Sequence, residues 1–452
     1  MSRSSVTILG AGLCGALLSI VLARRGIKVT VLERAPDPRN TRAVGGRSIN
    51  LAMSARGIRG LKHADVFEAV EPLLIPMQGR CIHELDGSTE LLPYGRNKDE
   101  VIYSVSRAAL NLALVEAAIS EHKVDIRFEQ ESVAYYPGEA VLRMRDLAGG
   151  SDYDVRAEPL IAADGAGSVV RRAYADSDVI NPSDEILPHR YREFEIPPGP
   201  DGEFLMEKNA LHVWPRGDYM LIALPNPGGD FTLTLFIPVE GEYSFAALDT
   251  DDKVYAFFDK QFPDATPLIK EGFRSWHDNP EGILGTIRCN HWHDGGNVLL
   301  IGDAAHAVVP FHGQGMNLAF EDCVILDQVL ENPDADWETV FEVFEREQID
   351  NANAIADMAL ENYVEMRDTV RNPKFSLWKQ LGFALEDRLP HRFIPRYSMI
   401  MFHDEIPYAV AKERGAIQQR LLEELTENAD SMDDIDLDAA VATVESQLPP
   451  LH

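Results

Sequence analysis

The chain has 452 residues, 45% of them hydrophobic and 25% charged, with a formal net charge of −31. That length can bury a large core, and two or three domains are expected. The acidic balance argues against nucleic acid or an anionic membrane surface as partner, since both reward basic patches. No apolar stretch reaches the roughly 18 residues of a membrane span, so no anchor is expected and the cytoplasm is the expected location. The cysteines, Cys14, Cys81, Cys289 and Cys323, have no metal-ligand or disulfide-framework spacing. They read as buried, reduced thiols, and no metal is expected.

In chain order, a βαβ unit comes first. Val6–Leu9 reads as a buried strand, Leu13–Arg25 as a helix stopped by Gly26, and Val29–Glu33 as a second strand. The run Leu13–Ala23 is too short for a membrane and too tightly bound to this unit for a signal peptide. Ile102–Ala118 reads as a strand running into a helix, and Pro159–Ala163 as another buried strand. Leu211–Trp214, Tyr219–Leu224 and Phe231–Ile237 are separated by Pro-Arg-Gly-Asp and Pro-Asn-Pro-Gly-Gly-Asp, the pattern of an antiparallel meander. From about Trp337 to Arg371 the chain is expected to be helical, as is the C-terminal portion. After Arg420 there is no Lys or Arg but there are nine Asp or Glu, which suggests a solvated helix or a frayed end.

Two segments carry the chemistry. Gly10-Ala-Gly12-Leu13-Cys-Gly15 lies between a strand and a helix, and Glu33 closes the next strand 18 residues after Gly15. Such glycines allow a tight turn, close approach of a pyrophosphate and close helix packing, while the acid can accept ribose hydroxyls. The motif marks a dinucleotide site without separating NAD from FAD. Asn297 to Asp322 reads as a strand ending at Gly302-Asp303, a second glycine turn at Gly313-Gln-Gly315, and a helix start near Asn317. It suits a ligand with sugar hydroxyls and phosphates.

With Ile161-Ala-Ala-Asp164-Gly165 and Leu300-Ile-Gly302-Asp303 in order, the chain resembles the aromatic-hydroxylase flavoproteins. The resemblance narrows to the kynurenine 3-monooxygenases through Gly46–Gly57, Pro93-Tyr94-Gly95, Ile102–Arg107, Pro310–Asn317 and Glu361–Asp368, and it runs to about Tyr408. It implies an α/β fold. A discontinuous FAD-binding Rossmann-like domain (1–70, 104–175 and 285–335) would hold an inserted antiparallel β-sheet substrate domain (71–103 and 176–284), with a C-terminal helical region (336–452).

The resemblance also implies bound FAD, NADPH as transient reductant, O2 as co-substrate, and hydroxylation of L-kynurenine through a hydroperoxyflavin. It assigns Gly10, Gly12, Leu13, Gly15, Glu33, Arg34, Ala52, Arg107, Asp164, Asp303, Gly315, Met316 and Asn317 to the cofactor. A single dinucleotide fingerprint means that NADPH would visit the surface instead of a Rossmann domain of its own. A monomer or homodimer is expected. A hydroxylase of another aromatic acid and a non-catalytic flavin-binding sensor are the alternatives.

On the substrate side, Arg80 sits in the strand-like run Gly79–Leu85 beside apolar Cys81 and Ile82, so its guanidinium needs an anionic partner, and its fork suits a carboxylate. Asn362 shares a helical face with Ile355, Met358, Ala359 and Met366, so its amide needs a partner too. An ordinary salt bridge and a tie to neighbouring backbone are the competing readings. The resemblance assigns Arg80, Tyr94, Asn362 and Tyr397 to the amino-acid end of the substrate. His312 beside the glycine turn is a weak candidate base and a better pocket wall, because other family members carry an aromatic residue there. Trp214 reads as sheet core.

Overall fold

Short strands, the central ones apolar and largely buried, build the parallel sheet of the protein. In a computed structural model describing residues 3–40, 50–175, 177–269, 273, 276, 279–367 and 374–451, Ser5–Leu9 pairs in parallel with Lys28–Leu32 and with Leu160–Ala162. Val298–Leu300 and Asp125–Arg127 extend the sheet on either side, again in parallel. Every residue of Leu160–Ala162 and Val298–Leu300 is buried, as in sheets covered on both faces. Helix Leu13–Arg24 connects the first two strands and ends before Gly26, whose φ of 77° is the left-handed conformation that closes helices. It packs against helices Arg107–Ser120 and Gly315–Val329.

The meander expected in the middle of the chain is the centre of a larger sheet. Seven strands run in the order Gly282–Cys289, Pro182–Ile196, Phe231–Pro238, Met220–Pro225, Ala210–Pro215, Gly79–His83, Thr89–Pro93. One pairing departs from an all-antiparallel insertion: Gly79–His83 joins Ala210–Pro215 in parallel. The two are far apart in the chain and joined by no hairpin, so nothing forces them antiparallel. One sheet face, with Trp214, Phe231, Leu233 and Leu235, packs on Val254, Phe257 and Phe258 of helix Asp251–Gln261. Trp214 is therefore sheet core, as expected. The other face presents Val213, Met220 and Phe236 to Val309, Phe311, Ala359 and Tyr363.

The 31-residue helix Trp337–Arg367 opens the C-terminal region. The expected continuation to Arg371, Asp368 of the Glu361–Asp368 run, and Gly46–Ile49 of the Gly46–Gly57 run lie outside the described residues. The acidic tail takes the helical one of the two forms expected, with its acids in solvent and no frayed end over Leu437–Gln447. Helix Leu437–Gln447 buries Ala440 and Val444 against Leu381, Leu385 and Leu421, so its acids occupy the outer face of a docked helix. The cysteines are all free, but Cys14 and Cys81 are only half-buried, unlike Cys289 and Cys323. Among the described residues no helix is long and apolar enough to cross a membrane.

Candidate active site

Gly10, Glu33, Asp164 and Gly302 all follow the carboxyl ends of neighbouring parallel strands, the edge at which open α/β sheets bind ligands. The glycines differ in their tasks. Gly10 has a φ of 97°, and a Cβ there would lie 2.6 Å from the Ala163 carbonyl oxygen. A Cβ on Gly15 would lie 2.0 Å from the Gly10 carbonyl oxygen, so its absence lets the helix meet the turn. A Cβ on Gly12 would meet nothing within 4 Å. That open space lies at the start of helix Leu13–Arg24, which no side chain caps, so its first N–H groups are available to an anion.

The acids flank this cradle. Glu33 accepts the Ala11 N–H at 2.6 Å and the Ala35 N–H at 2.7 Å, which orients its carboxylate beside the glycine turn; Arg34, next to it, is exposed. Asp164 Oδ2 accepts the Val169 N–H at 2.8 Å, whereas its buried Oδ1 has no partner. Burial pushes the Asp164 carboxyl above its ordinary range. Asp303 is exposed, directly after Gly302. An orphaned carboxylate oxygen, an uncapped helix start and an open glycine cradle are what a dinucleotide with ribose hydroxyls and a diphosphate would satisfy, so these residues fit FAD.

The second glycine turn is fastened from inside. Asn317 Oδ1 accepts the Ser54 N–H at 2.9 Å, and its Nδ2 donates to the carbonyls of Ala52 at 2.9 Å and Gly313 at 2.8 Å. The Asn317 amide therefore joins strand Asn50–Met53 to the start of helix Gly315–Val329, where Gly315 and Met316 follow an N-cap without side-chain capping. Sequence reading did not single out Asp322, the fully buried anchor of the other turn. It accepts the Gly302 N–H at 3.1 Å, lies 2.7 Å from His306 Nε2, and accepts Gln348 Nε2–H at 3.1 Å. Arg107 is exposed at the first turn of its helix, and its charge is felt by Glu193 and Tyr191 of the large sheet.

Arg80, Tyr94, Asn362, Tyr397 and His312, spread over more than three hundred positions, line one cavity of about 200 Å³. The Tyr94 and Tyr397 rings stack 5.4 Å apart, and the Arg80 guanidinium lies 5.8 Å and 5.1 Å from their centres. Burial pushes the Tyr94 hydroxyl up and the Tyr397 hydroxyl to about 12, so both remain donors. Arg80 Nε and Tyr94 Oη are buried without partners, and among the described residues Arg80 has no ion pair. Asn362 donates to the Phe311 carbonyl at 2.6 Å, which fixes the start of the turn that carries His312. His312 is buried beside Tyr397, with ring centres 5.7 Å apart; burial, then the nearby Arg396 and Arg80, lower its pKa to about 3.

Sequence reading missed several residues of this cavity. Lys379 donates to the Pro93 carbonyl at 2.9 Å, and burial and Arg80 lower it to about 8. Glu365 and Arg396 lie 3.9 Å apart at the wall, and Trp378 and Phe383 add aromatic surface. On their own helices these look like ordinary surface charges and core aromatics, so only the packing of the C-terminal helices reveals them.

The comparisons with known proteins agree with this geometry. An FAD binding domain family matches residues 3–181 and 283–333. Kynurenine 3-monooxygenase of Xanthomonas axonopodis pv. citri (strain 306) is 46% identical over 452 residues, covering 100% of this chain and 98% of that protein. The enzyme of Myxococcus xanthus (strain DK1622) is 46% identical over 451 residues, 99% and 96% of the two chains. That of Stenotrophomonas maltophilia (strain K279a) is 45% identical over 450 residues, 99% and 98%. Among solved structures, 2-methyl-3-hydroxypyridine-5-carboxylic acid oxygenase matches with a TM-score of 0.66 at 20% identity, over 82% of this chain and 95% of that one. P. aeruginosa PqsL matches with 0.63 at 22% identity, over 80% and 97%; both share the fold. The chain belongs to the kynurenine 3-monooxygenase family of FAD-dependent aromatic monooxygenases.

Proposed function

We propose that the protein hydroxylates L-kynurenine to 3-hydroxykynurenine, with NADPH as reductant and O2 as the oxygen source, in tryptophan degradation. The observation that carries this reading is Arg80, half-buried with a buried Nε and no ion pair among the described residues, between two tyrosines in the wall of a cavity that also has Trp378 and Phe383. A guanidinium fork that faces a cavity suits an anion, and a substrate carboxylate supplies one. FAD, when bound, takes reducing equivalents from NADPH and delivers one atom of oxygen to the aromatic ring.

This chain's own residues position and shield. Arg80 and the Tyr94 hydroxyl hold the carboxylate, with Tyr397 packed against both. Lys379 reinforces the positive end, and Glu365 is the acid available to the substrate ammonium. Asn362 holds the Phe311–His312 backbone, and His312, neutral above about pH 3, forms wall without moving protons. The substrate's own aniline nitrogen supplies electron density to the ring, so orientation and exclusion of water are the protein's main contributions.

In the same proposal, residues 1–70, 104–175 and 285–335 act as the cofactor unit, 71–103 and 176–284 as the substrate unit, and 336–452 as its helical cover. Glu33, Asp164 and Asp303 hold sugar hydroxyls of FAD, Gly10–Gly15 its diphosphate, and Arg107 and Gly315–Asn317 the flavin side. NADPH visits the surface, and the enzyme works in the cytoplasm as a monomer or homodimer, in keeping with its free thiols. Aerobic incubation with NADPH and L-kynurenine, with product analysis, tests the reading. NADPH consumption without hydroxylated product, or product only from another aromatic acid, would reject it.

A further inference from the structure

Strand Gly79–His83 has a second face. Arg80 and Ile82 line the substrate cavity, so by the alternation of a strand Cys81 and His83 point to the opposite side of the sheet. His212 is the register partner of Cys81 on the neighbouring strand. Trp214 stacks on His83 with ring centres 4.1 Å apart.

The hydrogen bonds of this cluster have a definite direction. His212 Nε2 faces the Glu207 carbonyl at 2.8 Å and donates to it, which leaves Nδ1 as an acceptor. His83 Nε2 faces that Nδ1 at 2.8 Å. His83 Nδ1 lies 2.7 Å from Asp264 Oδ2 and donates to the carboxylate, which also accepts the Trp214 Nε1–H at 3.0 Å. Burial alone would raise the Asp264 carboxyl, but the His83 and Trp214 hydrogen bonds outweigh it and hold it below its ordinary range.

Two imidazole nitrogens therefore face each other while their opposite nitrogens are anchored, one on a carboxylate and one on a backbone carbonyl. Metal-ligating histidines are oriented in this way by their outer partners. The Cys81 sulfur completes the set: it and the two histidines each offer a ligand atom, all within 4.8 Å of one another. Both histidines are buried, whereas Cys81 is half-buried, so the thiol side is the route of entry.

We propose that Cys81, His83 and His212 form a binding site for a zinc-like divalent transition-metal ion, which enters between the two facing imidazole nitrogens and the sulfur. Two nitrogens and one sulfur suit zinc or its neighbours, not magnesium or calcium, and a water fills the fourth position. The exchange balances. The histidines bind as neutral imidazoles and Cys81 as the thiolate, so the thiol proton passes to solvent as the ion enters. Tetrahedral metal–nitrogen bonds of about 2.05 Å and a metal–sulfur bond of about 2.3 Å set the nitrogens about 3.3 Å apart and the sulfur about 3.6 Å from each, so the rings part by about half an ångström and turn towards the ion as the sulfur closes in. The ion would sit behind the strand that carries Arg80, across the sheet from the substrate cavity.

The test uses FAD-loaded protein stripped with a chelator and titrated with Co2+ and then Zn2+. The expected result is one equivalent of Co2+ with tetrahedral d–d bands on the red side of the flavin absorption, displaced by one equivalent of Zn2+. Ion binding should release at least the Cys81 thiol proton in a weakly buffered titration. Zn2+ should block alkylation of Cys81 in the unmodified chain, a readout that needs no variant. Cys81→Ala leaves the His83–His212 hydrogen bond in place and should weaken Zn2+ binding more than about 100-fold. Absence of a stoichiometric tetrahedral Co2+ spectrum, alkylation of Cys81 at an unchanged rate with Zn2+, or equal affinity in a folded Cys81→Ala variant would each overturn the proposal.

Discussion

The Arg80 guanidinium and the Tyr397 ring meet at 5.1 Å although 317 positions of the chain separate them, and that contact joins the large sheet to the C-terminal helices at the substrate cavity. Burial disfavours the Arg80 charge, but Tyr397, Tyr94 and Glu365 offset it, so the guanidinium stays charged in the cavity wall and can take a ligand carboxylate. Arg80→Ala should raise the KM for L-kynurenine about 10- to 100-fold, the worth of a hydrogen bond to a charged group, while FAD content stays unchanged. Arg80→Lys should recover part of the loss, since it keeps the charge without the fork. Steady-state kinetics beside flavin absorbance checks both, and an unaltered KM in Arg80→Ala contradicts the assignment.

Gly12 and Gly15 separate binding from folding. A side chain on Gly12 enters open space, and its φ of −65° is open to any residue. Gly12→Val should therefore lower FAD affinity with little change in the Tm of the apoprotein. Gly15→Ala places a Cβ 2.0 Å from a backbone oxygen, so it should lower the Tm of the apoprotein as well. Differential scanning fluorimetry with and without FAD distinguishes the two. Loss of apoprotein stability in Gly12→Val would argue that its open space has a structural role instead.

The His306–Asp322 pair makes stability depend on pH. Burial works to lower the His306 pKa, but the Asp322 carboxylate 2.7 Å away outweighs it, so the folded value stands above the ordinary 6.5. A raised histidine contributes stability that is fully present below the unfolded value and is lost as pH rises through the folded one. The Tm gap between the natural chain and His306→Gln should be widest below about pH 6.5 and should narrow above it. Thermal melts at saturating FAD across this range measure it. A gap that widens with pH would contradict the sign.

His312, held at about 3, carries no charge over the working range. His312→Phe should keep kcat within about tenfold, well short of the 100-fold or more that follows loss of a general acid or base. The kcat/KM profile should show no acid limb from this residue. A loss beyond about 100-fold, with bound FAD intact, would make His312 part of the chemistry.

The cofactor side was legible because backbone geometry restricts residue type. Gly10 and Gly15 leave little room for a Cβ, and the strand-to-helix steps around them bear ordinary apolar patterns. The large sheet was only partly legible. Pro182–Ile196 has the charged run His189-Arg-Tyr-Arg-Glu-Phe-Glu195 within it, which alternates too weakly to declare a strand. Arg80 and Asn362 were singled out as polar groups on apolar runs, with the resemblance assigning them to substrate, and both line the cavity. Lys379 and Glu365 were not, since a charged residue on a helix is unremarkable until another helix covers it. Cys81 and His212 share nothing along the chain and become neighbours only through a parallel pairing that no hairpin announces.

Aerobic turnover of the FAD-loaded protein with NADPH and L-kynurenine, followed by mass and chromatographic identification of the product, tests the central claim most directly. The account predicts 3-hydroxykynurenine, formed with incorporation of one atom from 18O2 and with NADPH oxidation stimulated by the substrate. Unchanged kynurenine with unstimulated NADPH oxidation, from a protein that holds its FAD, would contradict it.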